Sequence, residues 1–411
     1  MTTRDLIVSA DGHIIEPVDL FTTRLPKHLR DRAVWEEEFT VDPPMPGGAK
    51  VFRRLHTPGY SGWTVARYHQ TDGRTPEGDP SMILEDMDAD GVDVQVMYPN
   101  LSMFGLYSDD HELSIAHARV YNDWVAETFL PYSSRLAPAA PIPLTDVTDA
   151  VVEIERAAAL GYKAVLLPAT PPRPYWSPDN DPVWSAIQGA GLQVFIHTAT
   201  GGVKTNDPEA TTLKVVMGVV DEVNQPMTPK LASRRMVTQC IYGSFEPQKV
   251  IIELIAGGVP ERFPDLHFVL VEFNAHWLAS LMGAMDKAWT AGTGQDVDWW
   301  IGTWDDARPS TDQSTMARLF TINEQWPWPL SPSEYVKRQF HVSFQDDPVA
   351  VAARHITGIP SVVWGSDYPH AEGSFRRSQD LIAEQFVGVP ADERAAMVGG
   401  TLAKILGYAG V

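Results

Sequence analysis

Leu6–Pro17 reads LIVSADGHIIEP, an apolar run that ends by presenting Asp11 and His13 two positions apart with Gly12 between them. Successive side chains of a β-strand point to opposite faces, so residues two apart share a face. Asp11 and His13 can therefore be aimed together from one strand end, as a metal site requires. The same letters also fit a strand that runs into an ordinary Asp-Gly turn. The meaning of the pair rests on where the other histidines and carboxylates fall.

Outward from this stretch the chain alternates. Residues 18–80 are rich in Pro, Gly, Arg and Trp, lack sustained periodicity and read as a loop-rich excursion over one end of the fold. Pro80 closes that segment, Ser81 is placed to cap a helix, and Gly91 stops it. VDVQVMYP (Val92–Pro99) is the next strand, and Asp109–Tyr132 carries apolar residues at helical spacing. RLAPAAPIPL follows as a third strand. Asp146–Leu160 is a helix stopped by Gly161, and KAVLLPA (Lys163–Ala169) is a fourth strand. Asp181–Gly191 is another helix, and LQVFIHT (Leu192–Thr198) a fifth strand ending in His197.

Residues 199–240 interrupt the rhythm, which resumes with a helix over Glu246–Ala256, the strand HFVLVEF (His267–Phe273) and a helix over Asn274–Trp289. A third insertion, residues 290–335, concentrates Trp299, Trp300, Trp304, Trp326 and Trp328. FHVSF (Phe340–Phe344) and SVVWGSD (Ser361–Asp367) are strands seven and eight, and helices from Asp380 and Asp392 close the chain. Eight β-rich runs alternating with helices predict one α/β domain over residues 1–411, a distorted (β/α)8 barrel with long insertions after strands one, five and six.

Composition narrows the class. The chain has 411 residues, 44% of them hydrophobic, with Lys+Arg 32 against Asp+Glu 53 and a net charge of -21. Such a surface repels phosphate backbones and anionic lipid, so nucleic acid and membranes are not expected partners. A single cysteine, Cys240, excludes an internal disulfide and a cysteine-based zinc site. The start lacks the apolar run of a signal peptide, and no stretch is long enough to span a bilayer, which predicts a cytoplasmic protein.

In a barrel of this kind the functional side chains stand at the C-terminal ends of the strands, however far apart they lie in sequence. Asp11 and His13 end strand one, His197 strand five, Glu272 strand six and Asp367 strand eight. Imidazole nitrogens with carboxylate oxygens suit one divalent ion, zinc first, with manganese or iron also possible, and leave room for water or substrate.

The motifs DGHIIEP (Asp11–Pro17), EDMDADGVDVQVMYP (Glu85–Pro99), LQVFIHT, GGVPERFPDLHFVLVE (Gly257–Glu272) and WGSDYPHAEG (Trp364–Gly373) together resemble the amidohydrolase-related proteins of the amidohydrolase superfamily. The branch resembled includes aminocarboxymuconate semialdehyde decarboxylase and γ-resorcylate decarboxylase. The resemblance implies that Asp11, His13, His197 and Asp367 bind one divalent metal, and that the protein is a homodimer or homotetramer. Family members more often begin with His-x-His or Glu-x-His. In the decarboxylases a histidine after strand six handles the proton; Glu272 takes that place here, and His276, four residues on, offers a substitute. GGTLAKILG (Gly399–Gly407) also departs from the Gly-x-Asn-Ala pattern usual there.

Two chemistries follow for a small-molecule substrate. In non-oxidative decarboxylation the metal anchors a carboxylate while Glu272 or His276 delivers a proton to carbon. In hydrolysis of an amide, ester or lactone the metal activates water and Asp367 orients or deprotonates it. Decarboxylation leads on the strength of the resemblance, and a non-catalytic ligand-binding barrel is the alternative of another class. Arg53 and Arg54, with Arg376 and Arg377, are candidates for a substrate carboxylate. Tyr368 and His370 flank Asp367, and the tryptophan-rich insertion is a candidate lid or subunit contact.

Overall fold

The computed structural model describes residues 4–40, 51–57, 60–66, 76–100, 103–201, 243–290, 328–370 and 372–408. The first barrel strand is split into Val8–Ser9 (β1) and His13–Ile14 (β2). After it come Trp35–Thr40 (β3), Val51–Thr57 (β4) and Tyr60–Ala66 (β5), a separate antiparallel sheet in which Trp35 stacks on its register partner His56. The excursion over residues 18–80 is thus not simply loop. Strands such as WEEEFT and VFRRLHT carry few apolar residues, so cross-strand pairing rather than a hydrophobic stripe defines them.

The remaining barrel strands are Val94–Pro99 (β6), Leu136–Pro141 (β7), Ala164–Thr170 (β8), Gln193–Gly201 (β9), Phe268–Val271 (β10), Phe340–Phe344 (β11) and Val362–Trp364 (β12). All pair in parallel in chain order, with both β1 and β2 on β6. Ala10 N donates to Trp364 O at 2.9 Å, and His13 N donates to Tyr368 O at 2.6 Å, so the last strand returns to the first and closes the barrel. These strands are buried almost throughout, as parallel strands covered on both faces must be. Phe268 and Phe340 stack at 5.0 Å, and Trp184 and Trp364 are wholly buried.

The helices start and stop where local chemistry directs. Asp79, not Ser81, caps helix Pro80–Asp90: its carboxylate accepts from Ser81 N and Met82 N, and Pro80 occupies the first turn. Proline is tolerated there because that N–H has no helical partner. Asp110 and Asp146 cap the next two long helices, and Gly91 (φ 73°) and Gly161 (φ 100°) end theirs in the left-handed region. Of the helices of eight residues or more in the described residues, two were not expected, Pro332–Gln339 and Pro348–Thr357. Each opens on a proline that reads as a breaker until the cap before it, Ser331 or Asp347, is recognised.

Two histidines are built in as neutral groups. His117 Nδ1 donates to Leu113 O while its Nε2 accepts from Val34 N, and burial pushes its pKa down to about 4. His341 Nδ1 donates to Pro360 O and its Nε2 faces His267 Nδ1 at 2.9 Å; burial, then His267, push it down to about 3. The unfolded chain takes up these protons near pH 6.5, before the folded one does, so folding is stabilised above that pH and the stabilisation is lost as pH falls toward 3. Urea unfolding should give a lower free energy at pH 5 than at pH 7. The difference should shrink in His341→Gln whatever that variant's stability at pH 7.

Candidate metal centre

Strand one and strand eight meet around the main chain of Asp11. Its carbonyl oxygen lies within hydrogen-bonding distance of Ser9 Oγ (2.8 Å), Gln95 Nε2 (2.5 Å) and Asp367 N (3.1 Å). A side chain on Gly12 would collide with the Gln95 amide, so glycine lets Gln95 pack against the turn between Asp11 and His13. His13 Nδ1 donates to Pro99 O at 3.0 Å and His197 Nδ1 to Thr198 O at 2.9 Å, which leaves each Nε2 as a lone pair facing the barrel mouth. His197 stands within β9, which continues to Gly201 rather than stopping near it.

These residues converge. His13 Nε2 lies 3.7 Å from Asp11 Oδ1 and 3.4 Å from Asp367 Oδ1, and His197 Nε2 lies 3.7 Å from Asp11 Oδ1. Such separations are what neighbouring ligands show around one ion with bonds of about 2.1 Å at roughly tetrahedral angles. All four atoms are buried, and the polar neighbours they face are one another, Glu272 and His370. Polar atoms so placed in a dry site are costly, and a cation shared among them removes the cost. The donor set fits a divalent metal.

Glu272 and His370 complete the wall. Glu272 Oε2 is 3.1 Å from His197 Nε2, and its side chain is 30% exposed at the mouth. His370 Nδ1 is 2.8 Å from Asp367 Oδ1, and its ring stacks on His13 at 4.0 Å. Both Glu272 (φ 63°) and Asp367 (φ 55°) take left-handed backbone conformations, which cost a non-glycine residue on the order of 1–3 kcal/mol and cluster at functional sites. The charges are strongly coupled. Burial would lower His197, but Asp11 and Glu272 outweigh it and hold the imidazole well above its usual range. For His370 burial again opposes, and Asp367 raises it to about 9. Burial would raise Glu272, yet His197 holds it below the usual carboxylate range. Three carboxylates in one buried cage leave it wanting positive charge.

Other site candidates lie elsewhere. His276 is held by Asp347, its Nδ1 3.1 Å from Oδ2, is 45% exposed, and is not part of the cage. Tyr368 turns its hydroxyl to Asp86 at 2.7 Å. Arg53 and Arg54 stand on β4, and their side chains fall outside what is described; Arg376 and Arg377 are exposed. Trp328 packs against Gly258 at the end of the barrel opposite the mouth. Trp299, Trp300, Trp304 and Trp326 lie outside the described residues.

Sequence reasoning missed the support behind His370. Its Nε2 lies 3.1 Å from Asn100 Oδ1, and Asn100 N donates to Glu16 Oε1 at 3.0 Å. Glu16 belongs to the opening motif and Asn100 follows β6, so only the adjacency of those strands joins them.

The amidohydrolase family profile matches residues 34–408. The chain belongs to the amidohydrolase family. No curated protein matches it. Among solved structures, an amidohydrolase from Mycobacterium avium subsp. paratuberculosis superposes with a TM-score of 0.69 at 17% identity, covering 98% of this chain and 100% of that one. 2,6-Dihydroxybenzoate decarboxylase from Rhizobium gives 0.56 at 14%, covering 99% and 100%. 5-Carboxyvanillate decarboxylase from Novosphingobium aromaticivorans, solved with manganese and 3-methoxy-4-hydroxy-5-nitrobenzoic acid, gives 0.57 at 16%, covering 79% and 80%. At these identities the likeness is one of fold.

The cage predicts a metal stoichiometry. Purified protein should carry about one divalent ion per chain by elemental analysis, and chelation should lower its melting temperature because binding energy is stability. His197→Ala and Asp11→Ala should abolish the metal while keeping the far-ultraviolet spectrum of the barrel.

Proposed function

We propose that this amidohydrolase is a metal-dependent non-oxidative decarboxylase of a small aromatic or unsaturated carboxylate. The observation that carries the reading is the Asp367–His370 pair at the edge of the cage, where a proton-bearing imidazole is held beside a ligand carboxylate. The ion is proposed to be zinc, with manganese, present in one decarboxylase of the same fold, as the other option. When bound, it supplies a positive anchor for the substrate carboxylate and a neighbouring oxygen.

The protein's own groups do the rest. Asn100 Oδ1 accepts from His370 Nε2–H, which orients the ring so that Nδ1 faces Asp367 and the cage. The bond from the carboxyl carbon breaks, its electron pair stays on the substrate carbon, and the His370 proton ends on that carbon as carbon dioxide leaves. The acid role expected of Glu272 passes to His370, whose ring is oriented by both Asn100 and Asp367. The place of Glu272 at the mouth, beside His197, favours a second reading: Glu272 as the base toward water in hydrolysis of an ester, lactone or amide. A cytoplasmic location and a homo-oligomer belong to the proposal. The oligomer is supported by Val349 and Ile356, 59% and 61% exposed and seven residues apart on one helix. Among the described residues no helix is long and apolar enough to cross a membrane.

Metal-loaded protein should release carbon dioxide from members of a panel of hydroxylated aromatic and enoic acids. In deuterium oxide the product should carry one deuterium at the carbon that lost its carboxylate. Turnover of esters or lactones without carbon dioxide release would establish hydrolysis instead. His370→Asn should lower kcat at least a hundredfold with metal content retained. Glu272→Gln should also keep its metal; loss of metal there would make Glu272 a ligand.

A further inference from the structure

A second concave site opens beside the cage, between the ends of β7, β8 and β9. It is a cleft of about 510 Å3, within the range of small-molecule sites, walled chiefly by Tyr107, Ser108, Pro143, Leu144, Pro168 and Thr170. Its relation to the metal centre follows from strand register. Pro168 is the register partner of His197, and partners on neighbouring parallel strands leave the sheet on the same face. His197 points into the cage, so Pro168 faces the barrel interior one strand away.

The wall has one unmet polar group. Tyr107 donates to Leu166 O at 2.7 Å, Thr170 donates to Glu246 Oε1 at 2.9 Å, Thr145 pairs with His111 at 2.9 Å, and Ser114 donates to Leu106 O. Ser108, 2% exposed, has a buried Oγ with no partner. The charged members, Asp109 and His111, belong to the segment entering helix His111–Thr128, and His111 is 42% exposed and tied to Asp149. The remaining wall of prolines, Leu144 and Tyr107 is uncharged. A charged ligand group would lose its hydration there without recompense, whereas a flat apolar one loses little.

We propose that this cleft binds an uncharged ring system carried by the substrate, with a hydrogen-bonding group meeting Ser108, while the carboxylate of the same molecule reaches the metal cage. The substrate is then larger than a single-ring acid. The carboxylate half of this statement rests on the proposed decarboxylase reading; the cleft itself does not.

The test uses the full, metal-loaded chain and three probes in calorimetric titrations: benzoate, 2-naphthoate and 2-naphthol. 2-Naphthoate should bind at least tenfold more tightly than benzoate. Pro171→Trp, which places an indole in the cleft from a half-buried position in its wall, should reduce that advantage to within twofold while leaving benzoate affinity and metal content unchanged. Pro172→Trp serves the same purpose if the first variant fails to fold. 2-Naphthol, which lacks a carboxylate, should bind with or without metal and weaken several-fold in Ser108→Ala. Equal affinity for the two acids, or an advantage that survives both tryptophan variants, would overturn the cleft and leave the metal reading standing. If acid binding proves independent of metal while 2-naphthol binding is still cut by Pro171→Trp, the carboxylate anchor falls and the cleft stands.

Discussion

The structure depends on the seam where the last barrel strand meets the first. One carbonyl oxygen, that of Asp11, gathers Ser9, Gln95 and the backbone N–H of Asp367, and Ser366 N donates to Ser9 Oγ at 2.9 Å. Those contacts close the barrel, and they also set the distance between the Asp11 and Asp367 side chains. Closure of the fold and assembly of the metal cage are therefore one event. A chain that had formed seven parallel strands but not the eighth would hold Asp11, His13 and His197 without Asp367 or His370.

The cage gathers charge that a folded interior ordinarily avoids. Asp11, Asp367 and Glu272 converge with His13, His197 and His370, so that Asp11 Oδ1, Asp367 Oδ1 and the Nε2 atoms of His13 and His197 are buried against one another and against Glu272 and His370. Burial opposes ionisation of His197, Glu272 and His370, yet mutual attraction prevails at all three. The left-handed backbone at Glu272 and Asp367 adds a further cost. A cation bound among these groups would offset that cost, which is the physical reason for reading the site as a candidate metal centre.

Much of this was legible before any coordinates. The alternation of apolar runs with capped helices gave eight strands within a few residues of their observed places, because parallel strands buried on both faces are nearly continuous apolar runs. The residues that converge could be named because strand-end residues of a barrel share a mouth. Helices opening on Pro332 and Pro348 were missed, since proline punctuates loops and helix starts alike and only the preceding cap distinguishes them. The sheet in residues 35–66 escaped for the opposite reason: two of its three strands, WEEEFT and VFRRLHT, are rich in charged residues, and pairing partners are invisible in one dimension. His276 was read as a substitute proton donor and His370 as a group flanking Asp367; Asp347 claims the first, and the second sits against Asp367 at the cage.

The sequence by itself determined the period of the chain, the identity of the strands and the residue types at their ends, since side-chain direction and apolar burial are local properties. Tertiary structure alone decided which polar groups meet. Asn100 reaches His370 across 270 positions, and Ser366 reaches Ser9 across 357. Register partners such as Pro168 and His197 likewise acquire a common face only when their strands lie side by side. Hydrogen bonds and charge coupling fall off within a few ångströms, so they depend on a proximity that only the closed barrel creates.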